Sequence, residues 1–115
     1  MFPIMHVVCV RSSFAEANPD IPRQVFEMYS EAKKKAYADL ETTTSLKVTL
    51  PWVTQEFEES RKLMGDNYWP YAIEPNRKAL NALIQYSHEQ GLAKRTLKIE
   101  ELFHPSTLEL KEATA

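Results

Sequence analysis

Residues 65–92, GDNYWPYAIEPNRKALNALIQYSHEQGL, join an aromatic turn to a well-marked helix, and the rest of the chain makes most sense around that junction. Gly65 is suited to stop a preceding helix in a left-handed conformation. Pro70 and Pro75 each disfavour helix at the residue before them, and Pro75 is well placed as the first residue of a new helix. From there Leu80, Leu83, Ile84 and Ser87 share one face, and Gly91 supplies the stop. Tyr68, Trp69 and Tyr71 put three large rings with polar edges into the turn, and Glu74, Asn76 and Arg77 follow with hydrogen-bonding and charged groups. A turn so dense in aromatics is costly to leave in water, so Trp69 and Tyr71 are expected either to pack or to stack on a ligand.

Outward from that junction, residues 51–64 are expected to form the preceding helix, with Trp52, Val53, Phe57 and Met64 toward the core. Earlier still, Asp20 can cap a helix whose first turn accepts Pro22. Val25, Tyr29, Ala32, Ala36 and Leu40 then recur every three or four residues as a buried stripe. The Thr42–Ser45 cluster breaks that pattern, and residues 46–50 can add a helical turn. Residues 11–19 suit a short helical turn or loop, and residues 99–103 a single helical turn. Near the amino terminus, residues 4–10 (IMHVVCV) are the one persuasive strand, apolar almost throughout and rich in β-branched side chains. One strand makes no sheet, so its edges must pair with another copy, a second polypeptide or further lobes. The chain therefore reads as mainly α with one N-terminal β-strand, a single helix-rich unit over residues 1–110 followed by a frayed tail at 111–115.

Composition frames the function classes. With 115 residues and 43% hydrophobic content, the chain suits one domain with a small core. A formal net charge of −2 with mixed signs argues against nucleic acid as the main partner. Lys33, Lys34 and Lys35 form the one basic run, and on a helix they spread over a solvated surface. Cys9 is the single cysteine, which excludes an intrachain disulfide and suits a small core residue. The apolar start MFPIMHVVCV is too short to span a bilayer and lacks the features of a secretory signal, so no membrane association and a cytoplasmic location are the default expectations.

Self-sufficient chemical motifs are missing. The sequence has no Gly-rich phosphate loop, HExxH, paired cysteines or nucleophile elbow. His6, His88 and His104 are scattered, without metal-ligand spacing on a common helix face, so no metal is expected. His6 is singled out because an imidazole inside an apolar strand must find a partner or face a cleft. Arg77 and Asn76 lie at a helix amino terminus, where N–H groups favour an anion and the Arg fork can hold a carboxylate. The rival arrangement pairs Arg77 with Glu74 across the first turn.

The wording of residues 65–92, with FPIMH at the start and EELFHPSTLE near the end, closely resembles the carboxy-terminal part of 4,5-dihydroxyphthalate decarboxylases. The resemblance runs from Phe2 to about Glu109 through several separated motifs in the right order. It implies a terminal fragment of an α/β periplasmic-binding-protein-like type II fold, whose two lobes would supply the missing sheet. It also implies loss of one carboxylate from a small aromatic dicarboxylic acid, giving protocatechuate and CO₂ without an organic cofactor. In that context His6 is the candidate acid or base, and Arg77, with Asn76, Trp69 and Tyr71, the candidate substrate contacts. The 115-residue chain by itself is expected to be inactive and to self-associate or associate with missing lobes. The alternatives are a solute-binding component of a transporter, since one fold serves many functions, and a noncatalytic helical fragment.

Overall fold

The computed structural model describes residues 4–45 and 47–112. Five α-helices occur in chain order: α1 (Ser12–Ala17), α2 (Ile21–Glu41), α3 (Val53–Met64), α4 (Ile73–Glu89) and α5 (Ile99–Leu102), followed by a 3-10 turn at Pro105–Thr107. Helix α2 carries Pro22 in its first turn, where a missing N–H costs nothing, and gives way at the threonine cluster. Helix α4 starts two residues before Pro75, with Ala72 in an extended conformation at its cap. Gly65 closes α3 at φ 90° and ψ 170°, a backbone region that essentially only glycine enters, and its N–H donates to the Arg61 carbonyl at 2.8 Å. Gly91 turns the chain after α4 at φ 73°.

Two apolar clusters hold these helices. In the first, Ile73, Leu80 and Ile84 line one face of α4 and meet Ile99 of α5, with Ile4, Leu97, Phe103 and Leu108 half-buried around them. Each fully buried aliphatic side chain of this kind contributes about 1.5–3 kcal/mol. Leu83, expected on the same face, points to solvent instead. The second cluster is aromatic. Phe57 is the one buried side chain of α3 among the described residues, and it meets the rings of Tyr37 from α2 and Tyr68 from the turn edge-on, each at 6.1 Å between centroids. The 3-10 turn packs on α2 and joins the carboxy-terminal stretch to it.

The N-terminal strand expected at residues 4–10 does not occur. Among the described residues there is no strand and no sheet; the fold is helical. Residues 4–10 are irregular, with Met5, Val7 and Val8 all more than half exposed. The physical reason is the missing ladder: β-branched content favours a strand only where a neighbouring edge takes up its N–H and C=O groups. Of residues 46–50, position 46 lies outside the described residues and 47–50 form no helix. Trp52 and Met64, expected in the core, are exposed. The Cα radius of gyration is 16.9 Å, against about 13 Å for a closed domain of this length, so the helices leave broad apolar faces open.

Candidate functional site

Helix α2 and the aromatic turn enclose an open groove of about 500 Å³, lined by Tyr29, Ala32, Lys33, Ala36, Tyr37, Tyr68, Trp69 and Tyr71. The helical period explains one wall. Positions 29, 32, 33, 36 and 37 recur at intervals of three and four, and the two alanines keep the floor low between the tyrosines. This is the stripe expected to be buried; Tyr29, Ala32 and Ala36 are exposed along the groove instead. The opposite wall is placed by stacking of Tyr68 on Tyr37, with centroids 5.0 Å apart and planes 11° from parallel. Asn76 fixes the turn from behind: its Nδ2 donates to the carbonyls of Pro70 at 2.6 Å and Ala72 at 2.8 Å.

Lys33 is the centre of the polar chemistry. Its side chain is only 9% exposed, and its ammonium donates to Asn67 Oδ1 at 2.8 Å, to the Trp69 carbonyl at 2.9 Å and to Glu112 Oε1. All three N–H bonds of the ammonium are thereby used. The Nζ also stands 4.5 Å from the Tyr71 ring centroid and 5.9 Å from that of Tyr37, within cation–π range. The second Glu112 oxygen accepts from Asn67 Nδ2 at 2.8 Å and from the Tyr71 backbone N–H at 3.1 Å. Burial pushes the Glu112 carboxyl upward, and hydrogen bonds from Lys33, Asn67 and Tyr71 outweigh it, leaving the group below the ordinary carboxylate value. Glu112 lies within the stretch expected to fray, yet its side chain is only 10% exposed.

The two neighbouring phenols respond to the same surroundings. Burial raises the Tyr37 phenol far above its usual range, with the Tyr68 phenol adding to the effect and the Trp69 backbone opposing it. Burial, then the nearby Glu112 carboxylate, raise Tyr71. Both tyrosines are therefore neutral near pH 7.

Of the five residues singled out from sequence, the structure brings Trp69 and Tyr71 together in the groove, with Asn76 behind them. His6 is exposed on the irregular amino-terminal segment and does not line the groove. Arg77 pairs with Glu74 at 2.9 Å and reaches Glu100 at 3.9 Å, linking α4 to α5. Its guanidinium pKa is raised first by the Glu74 hydrogen bond. Lys33, Asn67 and Glu112 were not recognised as site residues in the sequence. Lys33 hides in a run of three lysines, and the only available signal was its register between Tyr29 and Tyr37 on one helical face. Among the described residues, no three His, Cys, Asp or Glu side chains form a group that could hold a metal ion, and no helix is long and apolar enough to cross a membrane.

A curated protein from Comamonas testosteroni named 4,5-dihydroxyphthalate decarboxylase is 36% identical to this chain over 109 residues. The likeness is partial and distant. The alignment covers 95% of this chain and 33% of that protein, so the chain spans about a third of the length of the relative. No protein-family model matches the chain.

Proposed function

We propose that this chain contributes to a decarboxylase acting on 4,5-dihydroxyphthalate or a related aromatic dicarboxylic acid. The observation that carries the proposal is the 36% identity extending over 95% of the chain. An aromatic-walled groove is chemically suited to the ring of such a substrate, since flat walls accept a ring.

The chemistry sets what the protein must provide. Each carboxylate of 4,5-dihydroxyphthalate has a hydroxyl para to it. A base removes the proton of that hydroxyl, electron density moves into the ring, and a general acid protonates the carbon bearing the departing carboxylate. The C–C bond to the carboxylate then breaks. Its electron pair restores the aromatic ring, CO₂ leaves, and reprotonation of the phenolate gives protocatechuate. The ring acts as its own electron sink. On the strength of the resemblance we assign the proton transfer to His6 and the clamp on the retained carboxylate to Arg77, which exchanges Glu74 for substrate; both lie outside the Lys33 groove and take these roles in the longer protein. Trp69 and Tyr71 flank the ring, and Asn76 holds their turn in place.

A chimera tests the assignment. The aligned third of the Comamonas protein is replaced by this chain, and release of CO₂ and protocatechuate from 4,5-dihydroxyphthalate is measured. The chimera is expected to turn over and the 115-residue chain alone is not. A folded chimera that binds the substrate without turnover would instead make the segment a solute-binding element.

A further inference from the structure

Lys33, Asn67 and the Tyr71 backbone N–H converge on the two oxygens of one carboxylate, and that carboxylate is carried by the chain itself. Oε1 of Glu112 takes the ammonium, while Oε2 takes the Asn67 amide and the Tyr71 N–H. Every donor is supplied by α2 or the aromatic turn, whereas the acceptor arrives on an irregular stretch after the 3-10 turn. We propose that this three-donor receptor is a binding site for small aromatic monocarboxylates and that Glu112 occupies it as a tethered stand-in.

Three features support the assignment. The receptor persists when Glu112 leaves, because Lys33 stays held by Asn67 Oδ1 at 2.8 Å and the Trp69 carbonyl at 2.9 Å, with one N–H left to offer. The aromatic groove begins at the same lysine, so a carboxylate bound there directs an attached ring between Tyr29, Tyr37, Trp69 and Tyr71. Charge fixes the number of carboxylates: among the described residues Lys33 is the only basic one lining the groove, and one anion replaces one anion. A second carboxylate on the same ligand finds no cation among the lining residues and is left toward water. An aliphatic acid satisfies the donors but leaves the rings uncovered. The site does not depend on the proposed decarboxylation, and its failure would leave that proposal standing.

Displacement makes the site measurable. A stand-in that fills the receptor 90–99% of the time weakens an external ligand by about 10–100-fold. Benzoate is the probe, benzamide its neutral counterpart and acetate its ringless counterpart, with binding to the 115-residue chain followed by tryptophan fluorescence. Glu112→Ala is expected to tighten benzoate about 10–100-fold, and adding Lys33→Met to that variant is expected to abolish binding. Benzamide and acetate bind far more weakly than benzoate. A second readout uses the wild-type chain: benzoate frees the tail, so tryptic cleavage after Lys111 accelerates while cleavage after Arg95 does not. Equal benzoate affinity in the wild type and Glu112→Ala, equal binding of benzamide and benzoate, or unchanged cleavage at Lys111 under saturating benzoate would each overturn the proposal.

Discussion

Replacing Phe57 with alanine detaches helix α3. Phe57 is 6% exposed and is the one buried side chain that the described part of α3 contributes. Its ring meets Tyr37 and Tyr68 edge-on, with both pairs at 6.1 Å and 73°, and the Arg61 guanidinium lies 5.4 Å from its centroid. Truncating a buried phenylalanine costs about 3–5 kcal/mol from lost transfer and residual cavity. Phe57→Leu keeps most of the volume but loses two edge-to-face pairs, each worth about 0.5–1.5 kcal/mol, so it is expected to cost about 1–3 kcal/mol. A helix of 12 residues is marginal in isolation, so the alanine variant should lose the far-ultraviolet signal of α3 along with its anchor. Urea titrations followed by circular dichroism give both quantities, and the near-ultraviolet tyrosine band reports whether Tyr37 and Tyr68 remain stacked. The reasoning fails if Phe57→Ala lies within about 1 kcal/mol of wild type with its tyrosine band unchanged.

Other perturbations probe the remaining contacts. Leu80→Ala, at the most buried position of the aliphatic cluster, is expected to lower stability by about 2–5 kcal/mol in the same titration. Glu101 has a pKa lowered to about 2, first by its hydrogen bond from Arg95 and then by the Lys98 N–H. Arg95→Ala should therefore raise it toward the ordinary 4.5, read from the carboxyl ¹³C shift; an unmoved titration would place the cause elsewhere. The depressed Glu112 carboxyl makes the tail contact fully present above the ordinary carboxylate pKa and lost as pH falls through the lower folded value. The Glu112 amide resonance should shift over that acidic window in the wild type and not in Lys33→Met. In an active chimera, His6→Asn is expected to reduce turnover about 10²–10⁴-fold with little change in binding, and unchanged turnover per folded molecule would remove His6 from the chemistry.

Helices were readable because their signals are local. Pro22, the period of α2, Gly65 and the Leu80–Ile84 face each act within a turn or two of their own position, and α2, α3 and α4 form within a few residues of the expected bounds. The failed strand shows the opposite case. IMHVVCV carries strand propensity, but a strand is completed by a partner edge, and no described residue supplies one. The groove was half legible: Trp69 and Tyr71 were singled out as an aromatic turn needing cover. Lys33 and Glu112 were not, because side chains 79 positions apart carry no periodic signature of their meeting. Tyr29, Ala32 and Ala36 show a further limit, since a helical stripe gives the direction of an apolar face without saying whether anything covers it.

The partners of Lys33 come from very different distances along the chain, which orders the steps by which the site assembles. Asn67 and Trp69 are 34 and 36 residues away, and Glu112 is 79 residues away. Closing the longer loop costs about 0.7 kcal/mol more in chain entropy, and it is productive only after the turn has docked to offer its donors. The turn therefore folds onto α2 first and the tail closes last, with opening in the reverse order. One amide serves as the clock for that final step. The Tyr71 N–H belongs to the early-docking turn, yet its acceptor is the late-arriving Glu112 carboxylate, so its hydrogen exchange runs at the opening rate of the tail and not at that of the helix beneath it.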